Sequence, residues 1–554
     1  MKKIVIPAII FLCLVGWPIS QVKADSVGDR RNFYVDSGYD ATQRKSLSAI
    51  LIKSGSKLNI YADESWWSFT PQQSAQEALN ALSLEFDNKI YPTLTSFLGQ
   101  EWNPGIDNES KITILIQSMK SNAGGYFRTN DEYQKIQVTD SNEREMFYIN
   151  SKYVLDGNLK SFVAHEFTHL ITFNQKNKRY GLEEDTWLNE ARAEYSPTLL
   201  GYNEDYAGSY LEKRVQYFLE KPTGSLTDWQ NTEYDYGKVN LFAHYLVDQY
   251  GRNILADSLH APEIGVSSIN YALQRSLSKD NFAQVFTNWT IADLINDCTY
   301  GPQYCYTNNN LEKFYLIPQI NFLPLTGNVT LTMSDNAKSW SANWYKIIGG
   351  SGGALKFYFE GEPGINFNVA YITKSKAGVY SIKTLFLDKS GKGDLYIQNF
   401  GKDVTALFVI PYLEGDGGGI SDSYFHSFFW SASMTVQDSN VEQINRLLAT
   451  IENLKKQIAA ILAQRQGGMT GQNNNCSQIN GDLYFGVVGG EVSCLQQFLK
   501  NQGVDIYPEG LVTGNFGNLT RQAVIKFQTK YGISGTGFVG PITRIKINQL
   551  LNVR

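Results

Sequence analysis

The period of apolar positions changes several times along the chain, and each change predicts a different kind of element. Between residues 25 and 68, "RNFYVDS" and "LNIYADES" are short apolar-rich runs divided by polar turns and read as strands. The stretch "SAQEALNALSLEFDNKIYPTLTSFLG" (74–99) places Ala75, Leu79, Leu82, Phe86 and Ile90 at steps of three and four, which is one face of a helix. "KITILIQSM" (111–119) is an apolar run of the kind that fills a buried strand, and helical spacing dominates from about Lys160 to Asp297. Residues 25–310 are therefore expected to form a mixed α+β domain. Beyond them, "GNVTLTM", "ANWYKII", "ALKFYFEG", "NVAYIT" and "ALFVIPYLEG" recur at roughly 8–12-residue spacing between glycine and asparagine turns, which predicts an all-β sandwich over 311–437. That stretch carries no catalytic signal, and a spacer or substrate-facing accessory role is expected of it.

In "NVEQINRLLATIENLKKQIAAILAQR" (440–465) a seven-residue frame puts Ile444, Ile451 and Ile458 at one seam position and Leu447, Leu454 and Ile461 at the other. The first two heptads follow the pattern of parallel two-stranded coils, and Ile461 departs from it. A short coiled-coil helix pairing two chains in parallel and a helix docked on its own chain are both open. "QGGMTGQNNN" (466–475) reads as a flexible linker. Residues 476–554 contain an internal echo, "GNFGNLTRQAVIKFQ" from Gly514 and "GFVGPITRIKINQLL" from Gly537, each a G-x-x-G-x-x-T turn leading into a helix. A small all-α module is expected there.

At 554 residues the chain exceeds what one core serves, and its 42% hydrophobic content is that of folded domains. Residues 1–24, "MKKIVIPAIIFLCLVGWPISQVKA", have a basic start at Lys2 and Lys3, an apolar run and a small-residue "VKA" end, the layout of a secretory signal. No later stretch approaches the roughly 20 apolar residues of a membrane span, so a secreted, extracellular or wall-associated protein without a membrane partner is expected. Cys13 would leave with the signal. The remaining cysteines form two local pairs, Cys298 with Cys305 and Cys476 with Cys494, which suit disulfides in an oxidising compartment better than a metal site, since neither has CxxC spacing. Losing Lys2, Lys3 and Lys23 and no acid moves the formal net charge from −5 to −8, which argues against a nucleic-acid partner.

The chain has five histidines, and two fall in "SFVAHEFTHLITFNQ" (161–175). On a helix, residues four apart lie one above the other, so His165 and His169 can reach one ion. Glu166 lies about a hundred degrees around the helix, free to take a proton from a water at the metal instead of binding it. Two imidazoles and one oxygen donor with a position left for water suit zinc, and the motif is H-E-x-x-H. A third ligand is expected in "DTWLNEARAEYS" (185–196), where Glu190 follows His169 at a distance that lets a second helix return antiparallel. Glu194, one turn further, is placed to accept the other ring N–H of a zinc-bound histidine, or to lie on a solvated face.

The zinc motif sits within a longer likeness. "RNFYV", "IYADES", "FDNKIYPTLTSFLGQEWNPGIDNESKITILI", "AGGYFRTND", "SNEREMFYIN", "HEFTHLITF", "WLNEARAEY" and "YDYGKVNLFAHYLVDQYG" together resemble the glutamate-zincins, most closely the hyicolysin-type secreted bacterial metallopeptidases. The resemblance implies a zincin-like peptidase domain over 25–310, one catalytic zinc ion held by His165, His169 and Glu190, and Glu166 as general base and later proton donor. Ala191 stands where many relatives have glycine. For the oxyanion that forms during peptide hydrolysis the candidates are Tyr234, Tyr236 and His244; Tyr234 is preferred because its spacing to Gly237 resembles the Y-x-x-G of glutamate-zincin aminopeptidases. "VSCLQQFLKNQG", "GNFG", "AVIKFQ" and "YGISGTGFVG", with Thr520 and Thr543, resemble the peptidoglycan-binding domain of secreted bacterial wall enzymes, which implies a three-helix bundle and a wall partner for 476–554. "GIDNESK" (105–111) looks like a cation loop, with too few oxygen ligands for calcium.

The expectation is a secreted zinc metalloendopeptidase that cuts protein or peptide substrates and is tethered to peptidoglycan. The alternatives are a peptidase acting on peptidoglycan stem peptides and a non-catalytic wall-binding surface protein.

Overall fold

The computed structural model describes residues 25–120, 123–325, 328–415, 423–435, 450–451, 454–455 and 476–552, in two compact units divided between residues 441 and 442. The signal expected at 1–24, the linker at 466–475 and most of the heptad segment lie outside the described residues. No helix among the described residues is long and apolar enough to cross a membrane.

The first unit opens with a six-stranded sheet built from β1 (Arg30–Tyr34), β2 (Ser46–Ser54), β3 (Leu58–Asp63), β4 (Ile112–Gln117), β5 (Gly125–Phe127) and β6 (Met146–Asn150). Its order is β1-β2-β3-β4-β6-β5, with β3, β4 and β6 parallel and β5 antiparallel along the edge. Every residue of β3, β4 and β6 is buried, and alternate side chains go to opposite faces. Ile60, Ile114, Ile116, Phe147 and Ile149 face one core, whereas Tyr61, Leu115, Met146 and Tyr148 face a smaller one closed by Phe33, Leu47 and Met119. Burial on both faces is why these strands read as unbroken apolar runs.

Helices fill the larger core. After α1 (Glu64–Phe69), the helix expected over 74–99 is two helices, α2 (Gln72–Glu85) and α3 (Tyr91–Leu98), joined by a wide turn at Phe86–Ile90. Pro92, which has no N–H for the preceding turn, sits at the start of α3, and the wide turn keeps Phe86 and Ile90 in the core. Then come α4 (Leu159–Thr172), α5 (Thr186–Leu199), α6 (Tyr210–Glu220), α7 (Glu233–Tyr250), α8 (Asn253–Leu259), α9 (Gly265–Arg275) and α10 (Phe282–Ile295). A reciprocal cap between Thr232 and Asp235 fixes where α7 begins.

Residues 319–435 form the sandwich. One sheet is β13 (Lys392–Ile397), β10 (Ala354–Gly361), β15 (His426–Thr435) and β8 (Val329–Ala337); the other is β12 (Tyr380–Thr384), β11 (Phe367–Ser375), β14 (Val404–Leu413), β9 (Tyr345–Gly349) and β7 (Gln319–Leu323). The boundary expected at 310/311 marks a change of secondary structure but no break between cores. Along β14, Leu407 and Val409 enter the sandwich, while Ala406, Phe408, Ile410 and Tyr412 pack into the core that holds Phe242, Phe286 and Trp289 of the helices. Trp344 Nε1 donates to Thr290 O at 2.8 Å across that junction. The sandwich is therefore docked on the helical part over a shared apolar core.

In the second unit, α11 (Gly490–Asn501), α12 (Asn518–Lys530) and α13 (Pro541–Leu551) pack around Leu495, Phe498, Phe516, Val524, Phe527 and Ile547. The sequence echo is a structural one. Buried Gln496 accepts from Thr513 N and Gly514 N and donates to Asn515 O and Thr520 Oγ1; buried Gln528 accepts from Gly537 N and donates to Phe538 O and Thr543 Oγ1. Each glutamine satisfies the backbone of one G-x-x-G turn from inside the core. Both expected disulfides, Cys298–Cys305 and Cys476–Cys494, are formed.

Candidate metal centre

The H-E-x-x-H segment lies wholly within α4, which from Val163 to Thr172 is buried at every position, so the helix cannot turn His165 or His169 to solvent without exposing its core face. The chain then returns through α5, which sets Glu190 opposite the two imidazoles. His165 Nε2 and Glu190 Oε2 are 3.1 Å apart, His165 Nε2 and His169 Nε2 also 3.1 Å, and His169 Nε2 and Glu190 Oε2 3.5 Å. Among the described residues this is the one group of three or more histidine, cysteine or acidic side chains whose donor atoms converge within 4.8 Å.

Three observations fit a zinc ion. A tetrahedral ion bound at roughly 2.0–2.1 Å separates its ligand atoms by about 3.3–3.4 Å, and the three spacings bracket that value. The outer ring nitrogens face acceptors: His169 Nδ1 lies 3.0 Å from Asn189 Oδ1, and His165 Nδ1 lies 3.4 Å from Glu194 Oε1. With the protons held there, both Nε2 lone pairs point inward. Glu190 Oε2 is buried with no hydrogen-bond donor. Three lone-pair donors facing one another need a positive charge between them.

Electrostatics within the chain show the same demand. Burial opposes charge on His169, yet the adjacent Glu190 carboxylate overrides it and pushes the imidazole up to about 9. Burial would raise Glu190, but the two histidines hold it far below the usual carboxylate range. Glu166 goes the other way: burial pushes it up to about 7, opposed by His165 and His169 and reinforced by Glu190 and Glu194. A carboxyl group in that range can accept and return a proton near neutrality. It lies against the edge strand, where a Cβ on Gly125 would come within 2.9 Å of Glu166 Oε1.

Glu194 is not on a solvated face. It is fully buried behind His165, where its carboxylate accepts from Tyr210 OH at 2.6 Å, Arg214 Nε and Nη2 at 2.8 Å, and Asn240 Nδ2 at 3.1 Å.

The tyrosine preferred from spacing does not face this centre. Tyr234 lies beside Lys221, whose Nζ is 5.6 Å from its ring, among Glu220, Glu233 and Tyr217. Tyr236 is the residue on the inner side: its ring is 6.3 Å from that of His165, 4.8 Å from Trp229 and 4.9 Å from the Arg214 guanidinium, and its hydroxyl donates to Asn231 Oδ1 at 3.3 Å. Two residues apart on a helix is about 200° of rotation, so only one of the pair can point inward. Tyr39, which spacing did not single out, also faces the centre, and the Glu166 and Glu190 charges reinforce the effect of burial in raising its hydroxyl. His244 is a core histidine, with Nδ1 2.8 Å from Asn240 O and Nε2 2.9 Å from Thr198 Oγ1.

Comparison with known proteins identifies one part of the chain. Residues 488–547, which take in α11, α12 and most of α13, match a family described as a peptidoglycan binding domain. No match to the chain is found among curated proteins. Among solved structures, the pre-peptidase C-terminal domain of a collagenase from Bacillus anthracis aligns at 10% identity over 21% of this chain and 96% of that one, with a TM-score of 0.15. A periplasmic inhibitor of g-type lysozyme from Aeromonas hydrophila aligns at 9% identity over 22% of this chain and 100% of that one, with a TM-score of 0.14. Neither likeness bears on the fold or the chemistry.

Proposed function

We propose that the first unit is a zinc metallopeptidase acting on peptide bonds in proteins and that the peptidoglycan-binding domain of the second tethers it to the cell wall. The observation that carries this reading is the convergence of His165 Nε2, His169 Nε2 and Glu190 Oε2 on one point, with a buried carboxylate, Glu166, beside the set but outside it. Those three side chains would hold the ion, and zinc would supply Lewis acidity toward a carbonyl oxygen and lower the pKa of water.

The remaining steps belong to the chain. Strand β5 is the last strand of the sheet among the described residues and lies beside Glu166, so an extended substrate can pair with it as a further strand and bring its carbonyl to the centre. Glu166, raised to about 7 and so available as a carboxylate near neutrality, takes the proton of the attacking water in that ionised form and, then protonated, returns it to the departing amine nitrogen. The Tyr236 hydroxyl, held at the inner face of α7 by Asn231, is the donor toward the oxyanion. Glu194 and Asn189 keep the two imidazoles turned with Nε2 inward.

Metal analysis and digestion of casein and of purified peptidoglycan, run side by side with a Glu166→Gln variant, test the proposal. One zinc per chain is expected in both proteins, with casein cleavage reduced about 10²–10⁴-fold in the variant. Cleavage of peptidoglycan alone would move the substrate to wall stem peptides. Absence of zinc, or unchanged cleavage in Glu166→Gln, would leave only a wall-binding protein.

A further inference from the structure

A second group of carboxylates lies away from the histidines, under the loop that follows α3. Gly105, at φ +85°, lies so close to Glu145 that a Cβ there would overlap its carboxylate. The Ile106 N–H donates to Glu145 Oε1 at 2.7 Å, whereas Glu145 Oε2 is buried with no donor. Glu132, at the end of the short turn Thr129–Glu132, lies within hydrogen-bond reach of Glu145 and is 2% exposed, yet neither of its oxygens receives an N–H or O–H. Three carboxylate oxygens from two separate segments are thus buried together without a donor.

Neighbouring cations are committed elsewhere. Arg144 Nη2 is 2.8 Å from Asp25, and the Lys178 ammonium, whose charge favours ionised Glu132 without forming an ion pair with it, sits 3.1 Å from the centroid of the Trp102 ring. Among the described residues no ion pair reaches Glu132 or Glu145, and Asp107 adds a further negative charge beside Glu145. Buried carboxylates without compensation are among the most unfavourable arrangements a folded chain can hold. A proton shared between the two groups would neutralise one charge and serve two oxygens, leaving the third bare. A cation serves all three.

We propose that Glu132 and Glu145 hold a hard divalent cation, calcium being the first candidate, beneath the loop of residues 103–110. An all-oxygen donor set selects hard cations over zinc, and backbone carbonyls and water complete the coordination such ions require. The ion would clip the turn that follows β5 to the residue that precedes β6. It would thereby hold in place the edge strand whose Gly125 lies against Glu166.

The test uses the full-length protein, stripped of divalent ions and reloaded with zinc. Terbium luminescence is the binding probe, with Tyr133, next to Glu132 in the chain, and Trp102, three residues before Gly105, as the aromatic sensitisers. Melting curves with and without about 5 mM calcium, in the range of extracellular sites, are the second readout. The expected result is one terbium ion per chain displaced by calcium, and a melting temperature raised by about 2 °C or more. Glu132→Gln and Glu145→Gln should each abolish both responses. Should Glu145→Gln unfold through loss of its Ile106 bond, Glu132→Gln, which breaks no donor contact, decides alone. No terbium signal and no calcium-dependent shift in the unmutated protein would mean that the pair shares a proton, and the proposal falls. Responses that survive Glu132→Gln would place the ion elsewhere, with the same consequence.

Discussion

Glu194 and Glu132 are equally buried, at 0% and 2% exposure, and opposite in their surroundings. Around Glu194 the chain supplies every partner, from the Tyr210 hydroxyl, the Arg214 guanidinium and the Asn240 amide. Around Glu132 it supplies no N–H or O–H donor to either oxygen, only the Glu145 carboxyl within reach and the Lys178 charge beyond it. In the first place the charge is balanced within the protein, so the carboxylate is a fixed support against which His165 is turned. In the second the charge is left open, and the balance has to come from solution. Glu190 belongs with Glu132 in this respect, since its buried Oε2 also lacks a donor. Burial alone does not separate a supporting carboxylate from a ligand; whether donors surround it does.

The widest gap between the two places should appear on truncation. Glu194→Ala leaves the largely buried Arg214 guanidinium without its carboxylate, with only the Tyr210 hydroxyl remaining, and is expected to cost about 3 kcal/mol, measured by urea denaturation of the metal-free protein. Glu132→Gln, which strands no cation, should leave stability in chelator unchanged or raise it. A small loss in Glu194→Ala would erase the distinction. Glu194→Gln preserves the shape but weakens the hold on His165, and zinc affinity, read by competition with a chelator, should fall about 10–100-fold.

A second contrast lies along one turn of α7. Tyr236→Phe removes the hydroxyl that faces the histidines and should lower kcat about 10²-fold with little change in KM, as for loss of an oxyanion donor. Tyr234→Phe, on the opposite side near Lys221, should stay within about twofold. The reverse outcome would restore Tyr234 to the role that spacing assigned it.

That reversal shows where sequence reasoning loses its grip. His165 and His169 could be paired from their spacing because four residues is one helical turn, and Glu190 came within reach because a short return places a second helix beside the first. Tyr234 was chosen by its interval to Gly237, and an interval does not say which face of α7 looks inward. The run "ALFVIPYL" in β14 carried the docking of the sandwich in plain view, since a strand apolar at every position is buried on both sides. Glu132 and Glu145 were out of reach for another reason: "GIDNESK" had too few ligands by itself, and the carboxylates of the proposed site come from two other segments. The glutamines inside the terminal bundle were hidden because Gln496 and Gln528 lie at different distances before the turns they satisfy.

The mildest test concerns a buried carboxylate between the extremes. Asp293 is fully buried; its Oδ1 accepts from Tyr306 OH at 2.6 Å, and its Oδ2 has no partner. Burial pushes it well above its ordinary 3.8, with the Tyr306 bond opposing, so the folded chain keeps the proton after the unfolded chain has lost it. Over that interval the folded state binds more protons, and stability falls as pH rises above about 3.8. Asp293→Asn keeps the shape and the Tyr306 bond and removes the titration. The variant should match the unmutated protein near pH 4 and exceed it by about 1 kcal/mol at pH 7, the amide still burying an unpartnered N–H. Thermal melting across that range measures the difference. A variant less stable at pH 7 than at pH 4, relative to the unmutated protein, would mean that Asp293 is ionised and balanced from outside, which would move it from the self-contained class to the class of Glu132.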